Sequence, residues 1–128
     1  MIIAPAGFTA QDGYRETKRI LQHVRGRSAR VLAAALSDFL AMGASRMAAK
    51  MGLADSVAVV GTGAARDARN FIKRGGPFRA SVAYFPESYG ERVIALTIRI
   101  LEGEKVPLTT YTNHVVLTNS NIEQYYPS

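Results

Sequence analysis

The sequence contains no cysteine. That excludes disulfides, a thiolate metal site and a cysteine nucleophile. No apolar run approaches the roughly 20 residues that span a bilayer. The opening segment MIIAPAGF is too short for a secretion signal and lacks the basic flank of one. Only two histidines occur, His23 and His114, and neither has the spacing of a triad or a metal set. There is no nucleophile elbow, no phosphate loop, no internal repeat and no low-complexity linker. Enzyme chemistry therefore finds little support, and no cofactor or metal is implied.

What is present fits one ordinary domain. A chain of 128 residues can bury a real core, and 48% hydrophobic with 20% charged residues is the balance of a soluble globular fold. The formal charge of +6 raises a nucleic-acid partner. The densest basic group, Arg15, Lys18, Arg19, Arg25, Arg27 and Arg30, falls mostly on one expected helix, with no aromatic residues interleaved for base stacking. It reads as a solvated helix face, so no nucleic-acid partner is expected for this segment.

Strands and helices alternate along the chain. MIIAP suggests a short first strand, and a helix follows from about Ala10 to His23 with Tyr14, Thr17, Ile20, Leu21 and Val24 on one face. RVLAAAL reads as a buried strand. The helix after it presents Phe39, Leu40, Met42, Met47 and Met51 and stops at Gly52. SVAVVG is a strand, and helix 64–74 ends at Gly75–Gly76. RASVAYF is a strand closed by Pro86, helix 88–102 ends at Gly103, and HVVLT is the last strand before a polar tail. This order predicts an α/β fold, a mostly parallel sheet with helices on both faces and strands buried on both sides.

Ligands of such folds gather beyond the carboxyl ends of the strands. The places to examine are Pro5–Phe8, Ser37–Asp38, Gly61–Thr62–Gly63 and Tyr84–Phe85. Each has a plainer reading. Ser37 or Asp38 serves as a helix N-cap. GTGAAR begins like a dinucleotide fingerprint, but Arg66 stands where the third glycine belongs and no acid lies about 20 residues on, so a tight turn is the default. Tyr84 and Phe85 are core residues or a ligand platform. Glu87 and Glu91 favour a helix N-terminus electrostatically. Aromatic rings beside hydroxyl groups at strand ends suit a neutral polyhydroxylated ligand.

LSDFLAMGASRMAAKMG, VAVVGTG, RASVAYFPESYG and LEGEKVP, in that order, resemble the C-terminal half of the periplasmic sugar-binding proteins of ABC transporters, of the ribose- and galactose-binding type. The effector domains of LacI-type repressors are related to them. The resemblance runs from about Pro5 to the end, including the tail NSNIEQYYPS. It implies one periplasmic-binding-protein-like lobe over 1–128, with 88–112 as the segment that crosses to a first lobe. It also implies a sugar or polyol ligand, an ABC permease partner once a first lobe is supplied, and a periplasmic location.

Position by position, the family's sugar-binding Asn falls on Ser37, and the Asp after it on Asp38, whose implied task is to start the helix. The aspartate of V-G-x-D falls on Gly63, the polar residue two before the Pro on Tyr84, and the stacking aromatic on Phe8. Three polar ligand positions are thus altered while the architecture is kept. Family members are more than twice this long, so the resemblance implies a fragment or a half-size relative. Uptake by non-covalent solute binding is the leading expectation, and an effector-binding or interaction half of a LacI-type regulator is the alternative. Helix 88–102 has apolar residues on more than one face, which predicts a homo-oligomer.

Overall fold

The computed structural model describes residues 1–4, 6–24 and 30–127. The chain divides into two compact units, Met1–Ala83 with Val116–Ser128, and Tyr84–Val115.

The first unit opens with α1 (Ala10–Val24). Its start is a reciprocal cap. The Thr9 N–H and hydroxyl both donate to Asp12 Oδ2, at 3.1 and 2.7 Å, and the Asp12 N–H donates back to Thr9 Oγ1 at 3.1 Å. These bonds, helped by Arg15, hold the Asp12 carboxyl below its ordinary value of 3.8. Then follow β1 (Val31–Ala34), α2 (Asp38–Lys50), β2 (Val57–Thr62), α3 (Arg66–Arg74), β3 (Phe78–Ala83), β4 (Val115–Thr118) and α5 (Ile122–Tyr125). The sheet order is β1-β2-β3-β4, with β1, β2 and β3 mutually parallel. The parallel α/β architecture expected from the sequence is present. The helix stops at Gly52, Gly75 and Gly103 all have positive φ, at 70°, 76° and 82°.

Val57, Val59 and Gly61 of β2 are buried, whereas Ala58, Val60 and Thr62 on the opposite side are half-buried. Strands taken in sequential order with right-handed crossovers place α2 and α3 on the same face of the sheet. The core lies there, around Met42, Met47, Val59, Ile72, Phe78 and Leu117. On the other face Leu32 and Ala34 of β1 are exposed, and Leu36 just beyond is 94% exposed. Burial on both sides, expected for RVLAAAL, is therefore not realised in β1.

Helix α1 packs on α2 through two glycines. A Cβ on Gly43 would run into the Ala10 carbonyl, and one on Gly13 into the Leu40 carbonyl, so the two backbones approach closely only because both side chains are missing. Two further expectations change. Residues 1–4 form no strand; Met1, Ile2 and Ile3 lie exposed and unpaired, because an apolar run without a neighbouring strand edge has nothing to bond to. Pro5, Arg25 and Arg27 lie outside the described residues. The polar tail contains a short helix, α5, whose Ile122 is buried. It is tied to α3 by a Lys73–Glu123 ion pair and by Arg69 stacked 3.8 Å over the Tyr126 ring.

The second unit holds a 3-10 turn, Pro86–Ser88, and α4 (Tyr89–Leu101). No residue of α4 is buried.

Candidate functional site at the strand ends

Ser37 is the N-cap of α2. Its backbone is extended (φ −148°, ψ 156°) and its Oγ accepts from the Leu40 N–H at 3.3 Å. The cap is thus Ser37, and Asp38 takes the first position of the helix.

Asp38 is 2% exposed. Its Oδ1 accepts from the Ser81 hydroxyl at 2.6 Å and its Oδ2 from the Ala65 N–H at 2.7 Å. The helix-starting task expected for Asp38 gives way to a different one, because its side chain reaches across the strand ends instead of back to its own helix. Ser81, fully buried, also accepts from the Ala64 N–H at 3.0 Å. One carboxylate and one hydroxyl thereby fix the start of α2, the turn after β2, and β3. Sequence alone did not single out Ser81; its only sequence signal is an aliphatic hydroxyl in the strand RASVAYF.

The turn they hold is strained. Gly63 has φ 123°, a region open to glycine, and Ala64 is left-handed at φ 53° while buried. The Gly63 N–H donates to the Val82 carbonyl at 2.8 Å. Gly61, expected both as the end of the strand SVAVVG and in the turn after it, is the fifth residue of β2. Glycine is required there because a Cβ would meet the Asp38 carboxylate and the Phe78 ring. Thr62 Oγ1 donates to the Ala35 carbonyl at 3.1 Å and ties the end of β2 to that of β1.

Ser37, Asp38 and Gly63 are thus gathered at the strand ends of the first unit. Phe8, in the same unit, stands ahead of α1 and is 87% exposed. Tyr84 directly follows β3 and belongs to the second unit. There its ring meets His114 edge-on, centroids 5.1 Å apart at 89°. Phe85 is left-handed at φ 54° ahead of Pro86. Among the described residues no group of three or more His, Cys, Asp or Glu side chains could hold a metal ion. No helix among them is long and apolar enough to cross a membrane.

No family model and no curated protein matches the chain. Solved structures do. A periplasmic ribose ABC transporter protein from Conexibacter woesei is similar at 20% identity with a TM-score of 0.85, over 98% of this chain and 42% of that one. An ABC transporter periplasmic solute-binding protein from Actinobacillus succinogenes with bound D-allose is similar at 20% identity and TM-score 0.79, over 91% and 40%. The Caulobacter myo-inositol-binding protein with myo-inositol bound is similar at 23% and 0.74, over 91% and 39%. The chain therefore spans about 40% of the length of these structures. It has the fold of the periplasmic sugar-binding proteins of ABC transporters, over the part of them that it spans.

Proposed function

We propose that this chain supplies one wall of a sugar- or polyol-binding cleft in the solute-binding component of an ABC-type uptake system. The observation that carries the reading is the fold shared with proteins solved with D-allose and myo-inositol bound. The chemistry at the strand ends agrees with a neutral ligand held without reaction. Both oxygens of Asp38 are committed to protein donors, and Gly63 contributes only backbone. What these positions offer is the Ser37 hydroxyl proton, the Tyr84 hydroxyl, and the faces of Phe8 and Tyr84. That set suits stacking on the C–H face of a ring with few polar contacts. Asp38 supports the wall, and Ser37 and Gly63 are the positions of the first unit assigned to ligand; the resemblance assigns Phe8 and, in the second unit, Tyr84 to ligand as well. The remaining polar contacts belong to the lobe that this chain does not span, and the same lobe completes the surface for a permease in the periplasm.

A thermal-shift screen of the chain with D-ribose, D-allose, allitol and myo-inositol tests this. A ligand that binds the folded state raises its melting temperature by mass action. The reading expects a dose-dependent rise with at least one of the four. No rise with any, at tens of millimolar, overturns it.

A further inference from the structure

On the first unit, α2 and α3 run side by side in the same direction, since each joins neighbouring parallel strands. A groove of about 380 Å³ lies between them, lined by Phe39, Met42 and Arg46 of α2 and by Asp67, Phe71 and Arg74 of α3. Met42 is buried beneath it, whereas Phe39 is 53% exposed. The Arg46 guanidinium stacks 5.2 Å from the centre of the Phe71 ring. A stacked guanidinium keeps its in-plane N–H donors for a carboxylate. Neither Arg46 nor Arg74 forms an ion pair with a described residue. By helix position the two arginines mark one end of the groove, and Phe39 and Asp67 the other.

We propose that this groove docks an acidic segment of a partner protein. An aliphatic or aromatic side chain of the segment sits over Met42 between Phe39 and Phe71, and its carboxylates pair with Arg46 and Arg74. Charge complementarity selects this occupant. Apart from Lys73, which is paired with Glu123, the two helices carry Arg46, Lys50, Arg66, Arg69 and Arg74 against two acids, Asp67 and the committed, buried Asp38. A second copy would bring a layer of the same sign against this one, which like-charge juxtaposition penalises. A nucleic-acid strand would lay phosphates along the whole groove, and Asp67 at one end repels them. A segment acidic at one end and apolar at the other matches the sequence of groups along the groove.

The proposal stands apart from the sugar reading, and its test contains no sugar. The probe is the acetylated peptide Leu-Glu-Phe-Glu-Glu, titrated by calorimetry and by amide chemical shifts, with Leu-Gln-Phe-Gln-Gln as the neutral control. We expect saturable binding with shifts at Phe39, Arg46, Phe71 and Arg74, and none with the control. Arg46→Gln with Arg74→Gln should weaken the acidic peptide about tenfold or more, the scale expected for two desolvated charge pairs. Arg79→Gln with Arg92→Gln, equal in charge lost and outside the groove, should leave affinity within about twofold, as for exposed charges. The proposal is overturned by equal weakening in both pairs or by equal binding of the neutral peptide. It is equally overturned by an absence of shifts in the groove, or by tighter occupation of the same amides by oligothymidylate or phosphatidylglycerol vesicles.

Discussion

Ser81 and Asp38, 43 positions apart in sequence, meet through a buried hydrogen bond of 2.6 Å from the Ser81 hydroxyl to the Asp38 carboxylate. The same carboxylate takes the Ala65 N–H. Asp38→Ala leaves the buried Ser81 hydroxyl and the part-buried Ala65 N–H without this acceptor and frees a turn that contains the left-handed Ala64. The expected loss is about 2–4 kcal/mol, since bonds to a charged group and orphaned buried donors are both costly. Ser37→Ala removes only a cap, about 0.5–2 kcal/mol. Urea denaturation of both variants checks this, and equal losses would contradict the bridging role.

Two Gly→Ala substitutions should act in opposite directions. At Gly43 the new methyl meets the Ala10 backbone carbonyl, so α1 must move off α2, and overpacking of about 1–3 kcal/mol is expected. At Gly90, in α4, nothing lies within 4 Å, and Ala should stabilise that helix by about 0.5–1 kcal/mol. Thermal unfolding followed by circular dichroism separates the two. A destabilising Gly90→Ala, or a silent Gly43→Ala, goes against the packing described.

The cap of α1 should respond to acid. The Thr9 side-chain and backbone hydrogen bonds, with Arg15, hold Asp12 below 3.8 in the folded protein. Its contribution to the helix start is therefore fully present above pH 3.8 and is lost as pH falls through the lower folded-state value. In Thr9→Ala the carboxyl should titrate closer to its ordinary value. Carbon-13 NMR titration of the Asp12 carboxyl reads this directly, and identical midpoints in the two proteins would remove Thr9 as the cause.

Helix α4 exposes Val93, Ile94, Ile98, Ile100 and Leu101. Each large apolar side chain taken out of water contributes about 1.5–3 kcal/mol, so self-association through this helix is expected at tens of micromolar. Ile94→Glu with Ile98→Glu should return the chain to a monomer. Size exclusion with light scattering decides it: a parent chain that is already monomeric at that concentration contradicts the expectation.

The parts of the fold written in local chemistry were legible in the sequence. α1 and α2 have apolar periodicity, and Gly52, Gly75 and Gly103 stop helices as their types predict. The strand VAVVG stands out as a run rich in β-branched valine. Relations across the chain were not legible. Capping by Ser37 or by Asp38 looks alike in sequence, and only the position of Ser81 in the third strand decides that Asp38 turns away from its helix. RVLAAAL reads as buried on both sides because its residues are apolar throughout, yet sequential right-handed crossovers put both connecting helices on one face and leave Leu32 exposed. α5 was hidden because its four residues depend on Arg69 and Lys73, about 50 positions earlier. Of the candidate positions, Ser37, Asp38 and Gly63 were legible as strand ends, whereas Phe8 was not, since residues 1–4 form no strand, and the consumption of the Asp38 carboxylate by protein donors was not legible either.

We propose that the strand ends of this chain face a sugar or polyol. Amide chemical shifts of the chain during titration with D-ribose, D-allose and myo-inositol test it most directly. Saturable shifts are expected at Ser37, Gly63 and Tyr84 with at least one of them. Weaker affinity is also expected in Tyr84→Ala than in Ser37→Ala, because a lost aromatic platform costs more than one hydroxyl contact. Shifts absent from all three positions, or affinity unchanged in both variants, would contradict it.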